Sequence, residues 1–140
     1  MDWKECVDER IVKEAKSDED MIKSLLKSSE NKMKSERMLK MSEVTAASKL
    51  SLAYDSLREL LEALALARGY KVYNHECYTA FLKEVIGESS KGDEFDNIRR
   101  ARNAVNYYGK DITPREAEKY IERINSLRVF IMGMLKNLRK

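Results

Sequence analysis

A long apolar helix is the feature of this sequence that most restricts its fold. Between about residues 42 and 68, large side chains recur at steps of four and three residues, namely Leu50, Tyr54, Leu57, Leu61 and Leu64. Because residues three and four apart share a helix face, the segment is apolar over a wide arc. We expect it to be the central helix of a bundle, covered by other helices.

Turn-forming residues are scarce in the rest of the chain, which has a single proline and five glycines among its 140 residues. This inventory favours long helices with short connections, and the length suits one domain. We therefore predict an all-α fold, a single up-and-down helical bundle of about five to six helices over residues 1–140.

Capping residues mark where several helices begin and end. Thr113 with Glu116 predicts the start of the last helix, and Gly109 predicts the end of the helix before it. Ser17 with Asp20 predicts the start of the second helix.

Four other segments carry weaker signals. The first 16 residues have apolar side chains at helical spacing and predict one helix. YKVYN, residues 70–74, is expected to be an extended connection because no strand partner is evident. ESSKGDE, residues 88–94, is expected to be a polar, mobile linker. The second half of the second helix, after Leu26, is expected to be well solvated.

The two cysteines, Cys6 and Cys77, lie far apart in the sequence and form no CxxC pair. No apolar run approaches about 18 residues, and no signal-peptide pattern is present. These features predict a cytoplasmic protein without a membrane span, in which Cys6 packs as a small hydrophobic side chain. One histidine and two distant cysteines do not supply a zinc site, so no metal and no cofactor are expected.

Basic residues are concentrated near the end of the chain. Residues 91–140 hold 12 Lys and Arg against 7 Asp and Glu, although the whole chain has a net charge of only +3. Such an excess favours contact with a polyanion. A solvated basic surface is the commoner explanation of a charge excess by itself.

Arg102 stands out because it shares a helix face with Phe95, Ile98 and Val105. Burial of an unpaired charge costs several kcal/mol. The guanidinium group has three ways to avoid that cost. It can extend to water along its aliphatic stem, pair with an acid such as Glu59 or Glu62, or line a cleft and hold an anion in bidentate geometry.

Two segments together resemble a known family. ARNAVNYYG, residues 101–109, follows AYDSLRELLEALALARGYKVYNHECYTAFLKE, residues 53–84, and this order is similar to that of HEPN domains. The matching upstream positions are Ala53, Tyr54, Gly69, Tyr70 and His75. The family hallmark is an arginine, a polar residue, three variable positions and a histidine. Arg102 and Asn103 fit the first two positions, but the histidine position falls on Tyr107. The resemblance covers residues 42 to about 138 and leaves N-terminal helices in residues 1–40 outside it.

HEPN domains are small helical bundles found with nucleotidyltransferases and as toxin ribonucleases, and they commonly form homodimers. The resemblance implies RNA or nucleotide binding at a basic cleft whose candidate residues are Arg99, Arg102, Asn103, Asn106 and Tyr107. Arg102 and Tyr107 would then be the catalytic candidates. Because phenols have an ordinary pKa near 10, a tyrosine is a poor base at neutral pH, so weak or absent ribonuclease activity is expected.

Two alternatives stay open from the sequence. The chain is either a non-catalytic interaction module that partners a separate nucleotidyltransferase, or a metal-independent endoribonuclease that uses Tyr107 or a borrowed His75. His75 itself is expected at a helix start and partly exposed, and in a dimer it could approach the Arg102 cleft.

Overall fold

A computed structural model describes residues 1–138 of the chain. In this part, six α-helices, a π-helical segment and a two-stranded sheet form one bundle, so the predicted all-α class is confirmed. In chain order the elements are α1 (Trp3–Asp8), β1 (Val12–Glu14), α2 (Glu19–Met38), α3 (Ala46–Ala67), β2 (Tyr70–Val72), α4 (Glu76–Ala80), the π-helical segment (Phe81–Val85), α5 (Ser89–Tyr108) and α6 (Pro114–Leu138).

Helix α3 lies at the centre of the bundle, as its wide apolar arc predicts. The large side chains of its stripe are fully buried, and α2 and α6 pack along it. Helix α2 runs antiparallel to α3, as two hydrogen bonds show. Ser29 Oγ, in the middle of α2, donates to the backbone oxygen of Ser56 over 2.8 Å. Lys49 Nζ, near the start of α3, donates to the backbone oxygen of Glu36 near the end of α2 over 2.6 Å.

The second half of α2 is not the solvated surface that its polar sequence predicts. Ser29, Met33 and Glu36 are buried against the bundle. The Glu36 carboxylate lies 2.8 Å from Lys49 Nζ, which also donates to the backbone oxygen of Leu39. These polar groups are buried at low cost because each one meets a hydrogen-bonding partner.

The N-terminal 16 residues do not form the single helix that was predicted. Helix α1 ends at Asp8, Arg10 takes a left-handed conformation with φ of 59°, and the chain then enters β1. Strand β1 pairs with β2 in antiparallel register, with Val12 opposite Val72. YKVYN is therefore partly a strand and not an unpaired connection. Its partner lies almost sixty positions earlier in the chain, where local sequence patterns give no sign of the pairing.

The two cysteines form a disulfide bond, which corrects the prediction that Cys6 is a free, small hydrophobic side chain. Both residues are completely buried, as expected of Cys6, and the bond joins α1 to α4. Spacing in the sequence did not reveal the pair because the fold brings together residues 71 positions apart. The inference from free thiols to a reducing compartment therefore loses its basis.

The prediction of a mobile linker at residues 88–94 is also wrong, because α5 already begins at Ser89. Gly92 is buried, and a Cβ at this position would meet Lys83 Cγ at 2.5 Å and the Thr79 backbone oxygen at 3.0 Å. Two acidic residues of the same segment make ion pairs, Asp93 with Lys83 and Glu94 with Arg123, both at 2.5 Å. Close packing and these pairs order a segment that is polar by composition.

The predicted starts of α2 and α6 and the predicted end of α5 agree with the structure to within one residue, whereas α3 begins at Ala46, about four residues after its predicted start. Helix α5 ends at Tyr108 and is followed by Gly109 in a left-handed conformation, with φ of 66°. At the start of α6, the Glu116 amide donates to Thr113 Oγ1 over 3.1 Å and the Thr113 amide donates to Glu116 Oε1 over 3.3 Å. Helix α2 begins one residue later than predicted, because Asp18 and not Ser17 accepts the first hydrogen bond from the helix.

Candidate anion-binding site

The second half of α5 lies alongside the first half of α3 and brings the two polar edges of these helices together. Ser51 Oγ donates to Asn106 Oδ1 over 3.1 Å at one end of this contact. At the other end, the rings of Tyr54 and Phe95 stack with their centroids 6.0 Å apart. Arg102 lies between these two contacts along α5.

The guanidinium group of Arg102 is held by aromatic rings and by polar neighbours. Its carbon Cζ lies 4.8 Å from the ring centroid of Tyr54 and 5.3 Å from that of Tyr107, both within the range of cation–π attraction. Nη1 donates to Asn103 Oδ1 over 3.3 Å and to Tyr107 Oη over 3.2 Å. The side chain is only 12% exposed, so it does not reach freely into water.

One edge of this guanidinium group lacks hydrogen bonds. Nε is buried and has no hydrogen-bond partner. Nη2, on the same edge, has the Asp55 carboxylate 3.6 Å away, beyond ordinary hydrogen-bond distance. Adjacent Nε and Nη groups are the pair that binds carboxylate and phosphate in bidentate geometry. Nε and Nη2 of Arg102 are therefore two adjacent donors that make no hydrogen bond within residues 1–138.

The acid opposite Arg102 is Asp55, and neither of the two predicted candidates is in that position. Glu59 pairs with Lys32, and Glu62 accepts a hydrogen bond from Arg58 over 3.1 Å. The sequence did carry a signal for Asp55. Four polar positions recur at helical spacing along one side of the apolar α3, namely Ser51, Asp55, Arg58 and Glu62. The first two of them contact α5.

Arg99, the next predicted site residue, is engaged by Asp96. Its Nη2 donates to Asp96 Oδ1 over 2.9 Å, and the other carboxylate oxygen lies 2.9 Å from Arg100 Nε. Burial would raise the pKa of Asp96, but the hydrogen bond from Arg99 and the charges of both arginines bring it below its usual value. Arg99 is largely buried, whereas the Arg100 side chain is 75% exposed.

The remaining predicted residues divide into two groups. Asn103 and Tyr107 contact Arg102 directly, as the short motif suggests. Asn106 is turned instead toward Ser51 on α3. Tyr107 is 68% exposed and the adjacent Tyr108 is 83% exposed, so both rings present aromatic surface to solvent at the end of α5.

His75 reaches the same neighbourhood within one chain, without a dimer. Its Nδ1 lies 3.1 Å from the hydroxyl oxygen of Tyr54, the residue whose ring contacts Arg102. Burial lowers the pKa of His75 from its ordinary value, and the positive charges of Arg58 and Arg102 lower it further. Burial raises the pKa of Tyr54, which stays protonated at physiological pH.

Within residues 1–138 we find no helix with the length and hydropathy of a membrane span. In the same part of the chain, no group of three or more His, Cys, Asp and Glu side chains is placed to hold a metal ion.

In comparisons with known proteins, no family model, no curated protein and no solved structure matches this chain. The resemblance to HEPN domains therefore stays a prediction that depends on the residues named above.

Proposed function

We propose that the chain binds RNA or nucleotides through a phosphate group held at the Arg102 site. One observation carries the proposal: a mostly buried arginine whose Nε and Nη2 edge has no hydrogen bond. A buried donor without a partner is costly in a resting structure. A pair of phosphate oxygens that reached this edge would satisfy both nitrogens.

The surroundings of Arg102 suit a ligand that has bases as well as phosphates. Tyr107 and Tyr108 offer exposed rings on which a base can stack. Arg100, two residues before Arg102 in α5, pairs with Asp96 and has a side chain that is 75% exposed. Single-stranded nucleic acids are commonly bound by this combination of basic groups and aromatic rings.

The resemblance to HEPN domains supports the same proposal, and it adds a homodimer as the expected form. The surface for such a dimer is smaller than the apolar stripe of α6 suggests, because most of that stripe is buried against α3. The exposed apolar side chains of α6 are Val129, Met132 and Leu138. Measuring the mass in solution by light scattering tests the dimer.

A binding titration tests the proposed function directly. Fluorescence anisotropy with a labelled, unstructured RNA would be measured at several salt concentrations. We expect Arg102→Gln to weaken binding by about tenfold. It should also reduce the slope of log affinity against log salt by about 0.7, because one phosphate contact is lost.

The matched control for this titration is Arg68→Gln. Arg68 is an exposed arginine at the far end of α3, so the variant loses the same charge away from the site. It should bind nearly as the wild type does. Equal effects of the two substitutions, or no RNA binding by the wild type, would contradict the proposed function and favour the interaction-module alternative.

A second candidate function is metal-independent RNA cleavage, and the contact between Tyr54 and His75 favours it. In that reaction the 2′-oxygen attacks the adjacent phosphorus, a new P–O2′ bond forms and the P–O5′ bond breaks. His75 would accept the 2′-proton, and the departing 5′-oxygen would gain a proton from a neighbouring donor such as Tyr107 or water. The pKa of His75 is lowered, so its imidazole is neutral and able to act as the base near pH 7.

Product analysis distinguishes this candidate from binding alone. Cleavage predicts fragments with 2′,3′-cyclic phosphate and 5′-hydroxyl ends, abolished in Arg102→Gln and in His75→Gln. His75→Gln should still bind RNA. Intact RNA after prolonged incubation at high protein concentration would eliminate cleavage and leave the binding function untouched.

A further inference from the structure

Asp55 is the acid that faces the Nε and Nη2 edge of Arg102, which makes no hydrogen bond in the described part of the chain. Its position restricts which anions fit there. Asp55 Oδ1 lies 3.6 Å from Arg102 Nη2, and the Asp55 side chain is 35% exposed. A phosphate that binds this edge must come close to the carboxylate. The ligand is therefore attracted by one group and repelled by the other.

The charges around the site leave only a small positive excess. Arg58 pairs with Glu62, while Arg99 and Arg100 share Asp96. With Arg102 and Asp55, four guanidinium groups face three carboxylates, a net charge of one. His75 adds no charge near pH 7, because burial and the nearby Arg58 and Arg102 lower its pKa.

We propose that Asp55 is a specificity-determining residue that selects an internal phosphodiester over a terminal phosphate at the Arg102 site. An internal diester carries one negative charge, which matches the excess of the cluster. A terminal phosphate carries about 1.5 to 2 negative charges at pH 7 and meets stronger repulsion from Asp55. The carboxylate can also accept a hydrogen bond from a ribose hydroxyl beside a diester. The inference rests on the proposed function and names its ligand class.

Two ligands that share adenosine separate the two phosphate types. Adenylyl-(3′,5′)-adenosine has one internal phosphodiester and no terminal phosphate, whereas 5′-AMP has only a terminal phosphate. Binding of each would be followed by the ¹H–¹⁵N signal of the Arg102 Nε–H group at pH 7.5. That signal is assigned by its loss in Arg102→Lys. Millimolar affinities are measurable in this way.

The affinity ratio of the dinucleotide to AMP is the quantity that tests Asp55. The wild type should favour the dinucleotide, and Asp55→Asn should reduce the ratio by about fivefold, mainly through tighter binding of AMP. Asp55→Glu retains the charge and should keep the wild-type ratio within about twofold. Asp20→Asn, which removes an exposed acid from the first turn of α2, should leave the ratio unchanged.

An unchanged ratio in Asp55→Asn, or wild-type preference for AMP, would overturn the inference. The proposed function would survive that result if RNA binding still depended on Arg102 in the anisotropy titration. If the proposed function itself were wrong, neither ligand would shift the Arg102 Nε–H signal, and Arg102→Gln would bind RNA as the wild type does. The thermal unfolding midpoint of each variant shows that it is folded.

Discussion

The Tyr54 hydroxyl oxygen lies 3.1 Å from Nδ1 of His75. Because the ring of Tyr54 also contacts the guanidinium group of Arg102, one side chain of the central helix joins the arginine of α5 to the start of α4. Tyr54 is completely buried and therefore has a fixed position. Three residues that are far apart in the sequence thus form one connected group.

Removing only the hydroxyl group of Tyr54 should affect stability more than binding. Tyr54→Phe loses the hydrogen bond to His75 but retains the ring under Arg102. We expect the free energy of unfolding to fall by about 1 kcal/mol and RNA affinity to stay within about twofold. Urea unfolding and the anisotropy titration measure the two quantities. Tyr54→Leu, which removes the ring as well, should cost about 3 kcal/mol; equal losses in both variants would contradict the assigned role of the ring.

The lowered pKa of His75 predicts a loss of stability as pH falls. Its pKa in the folded protein lies below the ordinary value of 6.5, so the unfolded chain takes up the proton first. The stabilising contribution is complete above about pH 6.5 and is lost below it. Acids with lowered pKa values, such as Glu94, act in a separate range below about 4.5.

Comparison with a variant isolates this contribution. Denaturant unfolding between pH 7.5 and 5 should show a smaller loss of stability in His75→Asn than in the wild type. Parallel curves for the two proteins over this range would show that His75 has the same pKa in the folded and unfolded states.

The disulfide bond between Cys6 and Cys77 should stabilise the fold and should be detectable in the purified protein. If the bond acts by restricting the unfolded chain, closing a loop of 71 residues should raise the free energy of unfolding by about 4 kcal/mol. Measured disulfide bonds typically contribute about 2 to 4 kcal/mol. Peptide mapping without reductant should find the two cysteine peptides linked. A Cys6→Ala/Cys77→Ala variant should unfold at lower denaturant concentration, and reductant should affect the wild type alone. Free thiols in fully folded protein would contradict the bond.

Two glycines offer opposite outcomes for the same substitution. Gly92→Ala places a Cβ against Lys83 Cγ and the Thr79 backbone oxygen, so we expect a net loss of about 1 kcal/mol from overpacking. Gly133 lies on the exposed side of α6, where an added Cβ would have no atom within 4 Å, and Gly133→Ala should stabilise the helix by up to about 1 kcal/mol. Thermal unfolding of both variants measures the difference in sign. A stabilised Gly92→Ala protein would show that α5 does not pack closely at this point.

The helices were predictable from sequence where local signals decide them. The apolar stripe of α3 and the capping box of α6 depend on neighbouring residues, and both agree with the structure. Pairings between distant segments were not predictable in this way. Strand β1 opposite β2 and Cys6 bonded to Cys77 each depend on a partner that only the folded chain brings near.

The candidate site was predictable only in part, for the same reason. Arg102 was identified because it lies on the apolar face of its helix, and the motif placed Asn103 and Tyr107 beside it. Asp55 and His75 come from other elements, and their contacts to this group depend on how α3, α5 and the start of α4 pack. The polar edge of α3 was the one sequence signal for Asp55.

The most direct test of a phosphate site at Arg102 is a crystal structure of the protein with a short single-stranded RNA. We expect a phosphate oxygen within about 3 Å of Nε or Nη2 of Arg102, with an aromatic ring of Tyr107 or Tyr108 near a base. An RNA bound on another surface, with Arg102 still facing only Asp55, would contradict it.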